Sequence, residues 1–270
     1  MPREPGAMPL EWWQLAIAAS LVIVAGAVSI GLRLGLEKRL AIASVRTVVQ
    51  LLLVGWVLEW VFGLERLDAL LAVLAVMIVA AGRAAVQRSS RTFRGVYAGA
   101  FVTLAITGTA TTFMVTDVVI GVEPWWKPQY VLPLLGMVLG NGLTGISLCL
   151  DSLLESLDDR RDRIEMELSL GATRWEAVRA PLSEAVRRGM IPILNAMAVV
   201  GIVSLPGMMT GQILAGADPM PAVKYQIVVM FMLAAATALG SILVAMYTFR
   251  RLFNERHQLR AERIERRSGR

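Results

Sequence analysis

The chain has little of what most catalytic chemistry requires. It holds one cysteine, Cys149, and one histidine, His257, in 270 residues, and only 18% of its residues are charged. A single cysteine excludes an intramolecular disulfide and a thiolate cluster. A single histidine, lying in a basic tail, excludes histidine-based metal sites, Ser-His-Asp hydrolases and histidine-dependent membrane proteases. Gly145-Ile146-Ser147-Leu148-Cys149 lacks the last glycine of a nucleophile elbow, and no base accompanies it. Lys224 stands at the edge of its apolar stretch, short of the deep lysine that a retinal protein needs. No G-x-x-x-x-G-K-[ST] phosphate loop occurs, so the chain is not expected to hydrolyse ATP or to act as an enzyme.

What it has in abundance is apolar surface. Hydrophobic residues make up 56% of the chain and its mean hydropathy is +0.60, values of a membrane protein. A bilayer core of about 30 Å takes roughly 20 residues of helix at about 1.5 Å per residue. Seven stretches meet that length, at 13–31, 43–62, 68–86, 96–120, 130–150, 190–213 and 222–249. The expected fold is therefore all-α, a polytopic helical membrane protein with about seven transmembrane helices forming one domain across residues 1–270. The first stretch is too long for a signal peptide's apolar core and has no basic flank beyond Arg3, so it reads as a retained helix.

Charge supplies the orientation. All but four of the 27 lysines and arginines fall in alternate connections; the exceptions are Arg3, Arg66, Lys127 and Lys224. By the positive-inside rule the N-terminus is expected outside and the C-terminus in the cytoplasm, with the chain multi-pass in the plasma (cytoplasmic, inner) membrane. The pI of 10.1 then reflects topology and needs no nucleic acid. The basic tail at 250–270 suits attraction to anionic membrane lipid or a helix lying along a partner subunit.

One connection is long, the cytoplasmic segment at 151–189. Its first part places Leu153, Leu154, Leu157, Ile164 and Leu168 among charges, as in a helix leaving the membrane. Gly171 supplies a left-handed helix stop, and Thr173 with Glu176 forms a capping box that starts a second helix. Trp175, Val178, Leu182 and Val186 mark one apolar face of that helix, and Pro181 predicts a kink or break near Ala180. A short amphipathic helix below the bilayer suits docking in a groove of a soluble domain. Glu165 followed six residues later by Gly171-Ala172 resembles the E-A-A-x-x-x-G coupling motif of ABC transporter permeases. The resemblance implies contact with an ATPase through Glu165, Glu167, Gly171, Ala172, Thr173, Trp175 and Glu176. Glu167 replaces the motif's second alanine, and Pro181 lies closer to the glycine than in importer permeases. Both departures set the chain apart from a standard importer subunit.

Small and polar residues mark a membrane path. Gly136 with Gly140, continued by Gly142 and Gly145, and Gly207 with Gly211 allow close helix approach, within one subunit or across a dimer axis. Arg46, one turn from Gln50, is expected to snorkel to the cytoplasmic surface. Thr103, Thr107 and Thr111 share one helix face; Asn141, Thr144, Ser147 and Asn195 are further polar residues in apolar helices, candidates for path lining. Pro206-Gly207 predicts a broken sixth helix that exposes carbonyls, followed by Met208, Met209 and Gln212. Thioethers beside broken backbone form a weak, transient site for a soft or borderline metal ion, with Met208 and Met209 as its ligands.

Taken together, the run from Asn141 to Ser147, the Glu165-to-Ala172 loop, the run from Ser204 to Asp218 and Tyr225 to Phe231 resemble the FetB-type iron-export permeases and the plant permeases implicated in aluminium tolerance. The resemblance implies a permease homodimer with two copies of a separate ATPase subunit. That partner would bind ATP and Mg, this chain no cofactor, and the cargo would be iron leaving the cytoplasm. It equally admits an organic solute such as a nucleotide sugar. Eight outer acids, Glu4, Glu11, Glu59, Glu65, Asp68, Asp117, Glu123 and Asp218, face four outer bases, a balance that would draw out a cation. An ATP-independent secondary transporter would need an inverted repeat and a buried carboxylate relay, and neither is evident.

Overall fold

The computed structural model describes residues 11–64, 66–256 and 258–266. Arg3, Glu4, Glu65, His257 and Arg270 lie outside them. Among the described residues nine α-helices follow in order: α1 (Trp12–Gly31), α2 (Glu37–Leu64), α3 (Leu67–Gln87), α4 (Val96–Phe113), α5 (Pro128–Asp159), α6 (Arg161–Ser169), α7 (Arg174–Val199), α8 (Gly207–Leu214) and α9 (Pro219–Leu252). A π-helical turn carries α4 on through Val119. The fold is all-α save for two short strands, β1 (Arg91–Thr92) and β2 (Glu265–Arg266), paired antiparallel.

Among the described residues six helices are long and apolar enough to cross a membrane: α1, α2, α3, α4 with its π turn, α5 and α9. The stretch at 190–213, expected as a seventh span, is divided. Its first part is the end of α7, which begins in the charged segment at Arg174. The chain then turns at Gly201, whose φ of +81° lies in the left-handed region, and restarts as α8 behind Pro206. The break predicted at Pro206-Gly207 is present. Of the kink or break predicted near Ala180, the break is absent, for α7 runs unbroken through Pro181 and Pro192. Ala177, Val178, Pro181, Leu182 and Ala185 are buried in the core, and that packing holds the helix past a missing donor.

α5 is the central post, packed by α3, α4, α7 and α9. At about 1.5 Å per residue its 32 residues reach about 48 Å, well beyond a bilayer core of about 30 Å. The protruding end, with Leu150, Leu153, Leu154 and Leu157 fully buried, meets Ile164 of α6, Val178 of α7 and Leu252 of α9. α5, α7 and α9 approach most closely where Gly145 faces Gly189. A Cβ on Gly189 would lie 2.8 Å from the Gly145 carbonyl and 2.7 Å from Ser241 Oγ. By contrast Gly140, Gly207 and Gly211 have open space where a side chain would go, so they are not closing contacts within this chain.

The arginine-rich connections gather at one end. Arg91 is 11% exposed at its side chain and binds Asp158 (3.0 Å), Asp159 (3.0 Å) and Glu155 (3.6 Å). Arg266 of β2 adds a second bond to Asp158 at 3.0 Å. The basic tail is therefore folded against the bundle, with Phe253, Leu259 and Ala261 buried in the core. α1 and α2 stand at the edge. Ser29 and Val61 are their only buried residues, and Leu21, Ile23, Leu51 and Trp56 are exposed.

Candidate translocation and coupling site

Sequence dictates the coupling turn atom by atom. α6 ends in a Schellman motif: Gly171, at φ +98°, donates to the Leu168 carbonyl, and Ala172 donates to the Glu167 carbonyl, each at 3.1 Å. α7 begins in the expected capping box, where the Thr173 hydroxyl accepts from the Glu176 N–H (3.3 Å). The Thr173 N–H in turn donates to the Glu176 carboxylate (2.8 Å). The Thr173 backbone N–H, then its hydroxyl, hold the Glu176 carboxyl below its ordinary range. Glu165 and Glu167 pair with Arg161 (2.8 Å) and Arg163 (3.0 Å) along exposed α6.

The surface of this turn differs from the one expected. Val178 and Leu182 are buried against α5 and α9, with Val186 packed beside them, so that face is already filled from within. What faces outward is Met166, Leu170 at 80% exposure and Trp175 at 45%. Leu170 escaped sequence reasoning; its only signal is a large apolar residue at a helix stop among charges. Trp175 meets the edge of Phe249 with ring centroids 5.9 Å apart. Arg174 lies over the same ring and donates to the Asn254 carbonyl at 3.1 Å. The turn is thereby tied to α9 and to the tail.

The path residues separate into two groups. Asn141 Nδ2 donates to the Met137 carbonyl (3.0 Å) of its own helix. The Thr144 hydroxyl donates to the Gly140 carbonyl (3.1 Å) and accepts from Arg88 (3.3 Å). Asn195 is exposed on α7 and makes no hydrogen bond among the described residues. Thr103 and Thr107 are buried, and Thr107 and Thr111 bond back along α4, so that stripe packs in the core. Ser147 is likewise buried, bonded to the Ala85 carbonyl of α3. On α8, Met208 packs against a buried cluster that holds Met230 and Met232 of α9, and Met137 of α5 and Met190 and Met197 of α7 pack against the same cluster. Met209 and Gln212 are partly buried outside that cluster, and Pro206 caps the helix. The thioether set is thus wider than the adjacent pair, spread over four segments distant in sequence. Gln226 was also missed: it is 6% exposed and its Oε1 finds no partner among the described residues. Among those residues no group of three or more His, Cys, Asp or Glu is placed to hold a metal.

A family model described as "Uncharacterised protein family (UPF0014)" matches residues 12–253. The chain belongs to the UPF0014 family. It is 35% identical over 246 residues to the "Probable iron export permease protein FetB" of Escherichia coli, covering 91% of this chain and 93% of that relative. It is 34% identical to the "UPF0014 membrane protein STAR2" of rice, over 89% and 85% of the two chains. With "Protein ALUMINUM SENSITIVE 3" of Arabidopsis thaliana the identity is 33%, over 90% and 88%. No solved structure matches. The UPF0014 match runs from the start of α1 to Phe253, just past α9, and takes in the α6–α7 turn and Met208. The resemblance drawn from the sequence holds, and this UPF0014 member is a multi-pass membrane protein.

Proposed function

We infer that the chain is the permease subunit of an ABC exporter in the cytoplasmic membrane, N-terminus outside and C-terminus inside. It works as a homodimer with two copies of a separate ATPase subunit, which binds ATP and Mg. The observation that carries this reading is the α6–α7 turn, a rigidly capped, partly apolar protrusion at the arginine-rich end. Leu170, Met166 and Trp175 offer an ATPase groove an apolar knob, and the paired Glu165 and Glu167 flank it. α7 is the lever. From Trp175 to Asn195 its unbroken helix spans about 30 Å, so a push on the turn reaches the membrane path undiminished. Closure of the ATPases around ATP would rock α7, and with it Asn195 and the methionines, from inward-open to outward-open.

The cargo is iron leaving the cytoplasm, as the name of the Escherichia coli relative suggests. Here the ion would meet methionine thioethers including Met208 and Met209, the Asn141 and Asn195 amides, Thr144, Gln212 and the carbonyls around Pro206. That donor set binds a borderline cation weakly, as transit demands. The same neutral amide and hydroxyl lining also suits a polyhydroxylated solute such as a nucleotide sugar. The test is ATP turnover by the permease with its ATPase in liposomes, with and without ferrous iron on the ATPase side. Stimulation by iron that Met208→Ala/Met209→Ala removes supports the assignment. Turnover raised only by another solute would replace the cargo, and the absence of any complex would overturn the ABC reading.

A further inference from the structure

Six arginines line one cavity of about 790 Å³ at the cytoplasmic end: Arg174, Arg250, Arg251, Arg256, Arg260 and Arg263. Among the described residues the only acid on its wall is Glu255. Elsewhere at this end arginines are matched to carboxylates, as in Arg91 with Asp158 and Asp159, Arg160 with Glu184 and Arg161 with Glu165. In the cavity three arginines hold the wall together: Arg174 bonds the Asn254 carbonyl, Arg251 the Tyr247 hydroxyl and Arg263 the Arg251 carbonyl. The side chains of Arg250, Arg256 and Arg260 form no hydrogen bond or ion pair with any described residue. Arg256 and Arg260 also border an adjoining cavity of about 560 Å³ that contains Glu165 and Glu262, yet neither acid reaches ion-pair distance of them. Like charges gathered in a concave wall repel one another and focus a positive potential. Planar guanidinium forks match the oxygens of a phosphate, often in pairs.

We propose that this cavity binds a phosphate-bearing anion. Its position favours the headgroup of an anionic phospholipid of the inner leaflet, because Arg250 and Arg251 form the last turn of the membrane-spanning α9. The site lies largely in the tail after Phe253, past the stretch that the family match covers. Since Arg174 follows Thr173 and shares the Phe249 ring with Trp175, an occupied cavity steadies the coupling turn. The binding proposal stands apart from the identity of the cargo.

The experiment uses the full chain in neutral phosphatidylcholine nanodiscs, titrated with short-chain phosphatidylglycerol and, separately, with inorganic phosphate. The variant Arg250→Gln/Arg256→Gln/Arg260→Gln removes three charges that bond none of the described residues. Arg33→Gln/Lys38→Gln/Arg39→Gln removes three exposed charges from the α1–α2 connection and the first turn of α2. At least tenfold weaker binding in the first variant, with the second unchanged, is the expected result. Binding of the lipid alone identifies a headgroup site, and equal competition by inorganic phosphate identifies a soluble phosphate site. Absence of binding by both probes, or equal loss in the two variants, overturns the proposal. So does unchanged binding in a cavity variant that no longer retains its ATPase, which would assign the arginines to an acidic protein surface.

Discussion

At Gly189 the backbones of α5, α7 and α9 are so close that a single methyl group has nowhere to go. Gly189→Val is expected to cost about 1–3 kcal/mol by overpacking and to lower the thermal midpoint of the purified permease. Gly140→Ala, whose Cβ meets nothing, should stay within about 0.5 kcal/mol of the parent. Gln226 makes the opposite case. Its carbonyl oxygen is buried and unbonded, so Gln226→Leu should raise the midpoint, by about 1–3 kcal/mol if the whole desolvation cost is relieved. If the amide serves the path, the same variant loses transport, and paired stability and transport measurements separate packing from function. Periodicity marks neither residue: Gly189 lies among arginines in sequence, and Gln226 reads as one polar residue at the start of an apolar helix.

At the scale of elements, the α6–α7 turn was legible because capping is local chemistry. Gly171, Thr173 and Glu176 lie within six residues and their bonds need no distant partner. Gly171→Ala forces a Cβ into the left-handed region at about 1–2 kcal/mol, with open space around it, so the strain is purely conformational. ATPase retention in a pull-down should fall while the membrane bundle keeps its midpoint; unchanged retention would dissociate the turn from coupling. The depressed Glu176 carboxyl adds a pH signature. Its capping contribution is complete above the ordinary value of 4.5 and is lost as pH falls through the lower folded value. Glu176→Gln should remove that acid dependence from hydrogen exchange at the start of α7. The face of α7 was misjudged for the converse reason: amphipathicity shows that a face is covered and is silent on whether the cover is a partner or the chain's own α5 and α9.

For the whole molecule, the tail acts as a clasp. Ending the chain at Leu252 removes Phe253, Leu259 and Ala261 from the core and frees Asp158 of Arg266. Such a truncation should lower the thermal midpoint markedly, whereas Arg91→Ala, which strips Asp158 and Asp159 of their shared partner, should cost about 2–3 kcal/mol. The α1–α2 hairpin presents bare apolar flanks along nearly its full length, which a membrane or a second copy covers.

The sequence by itself determined that this is an all-α membrane protein, where its long apolar helices lie, how its α6–α7 turn is capped and to which family it belongs. Each depends on composition, run length or bonds between near neighbours. Only the tertiary structure decided that residues 190–213 form no further span and begin as the end of a helix rooted at Arg174, since a span and a helix end have equal hydropathy and differ in what they pack against. It decided too that Met208 shares one cluster with methionines of α5, α7 and α9, that the threonine stripe of α4 packs in the core, and that the basic tail folds back to line a cavity. Those outcomes turn on contacts between residues far apart in the chain, which no local pattern records.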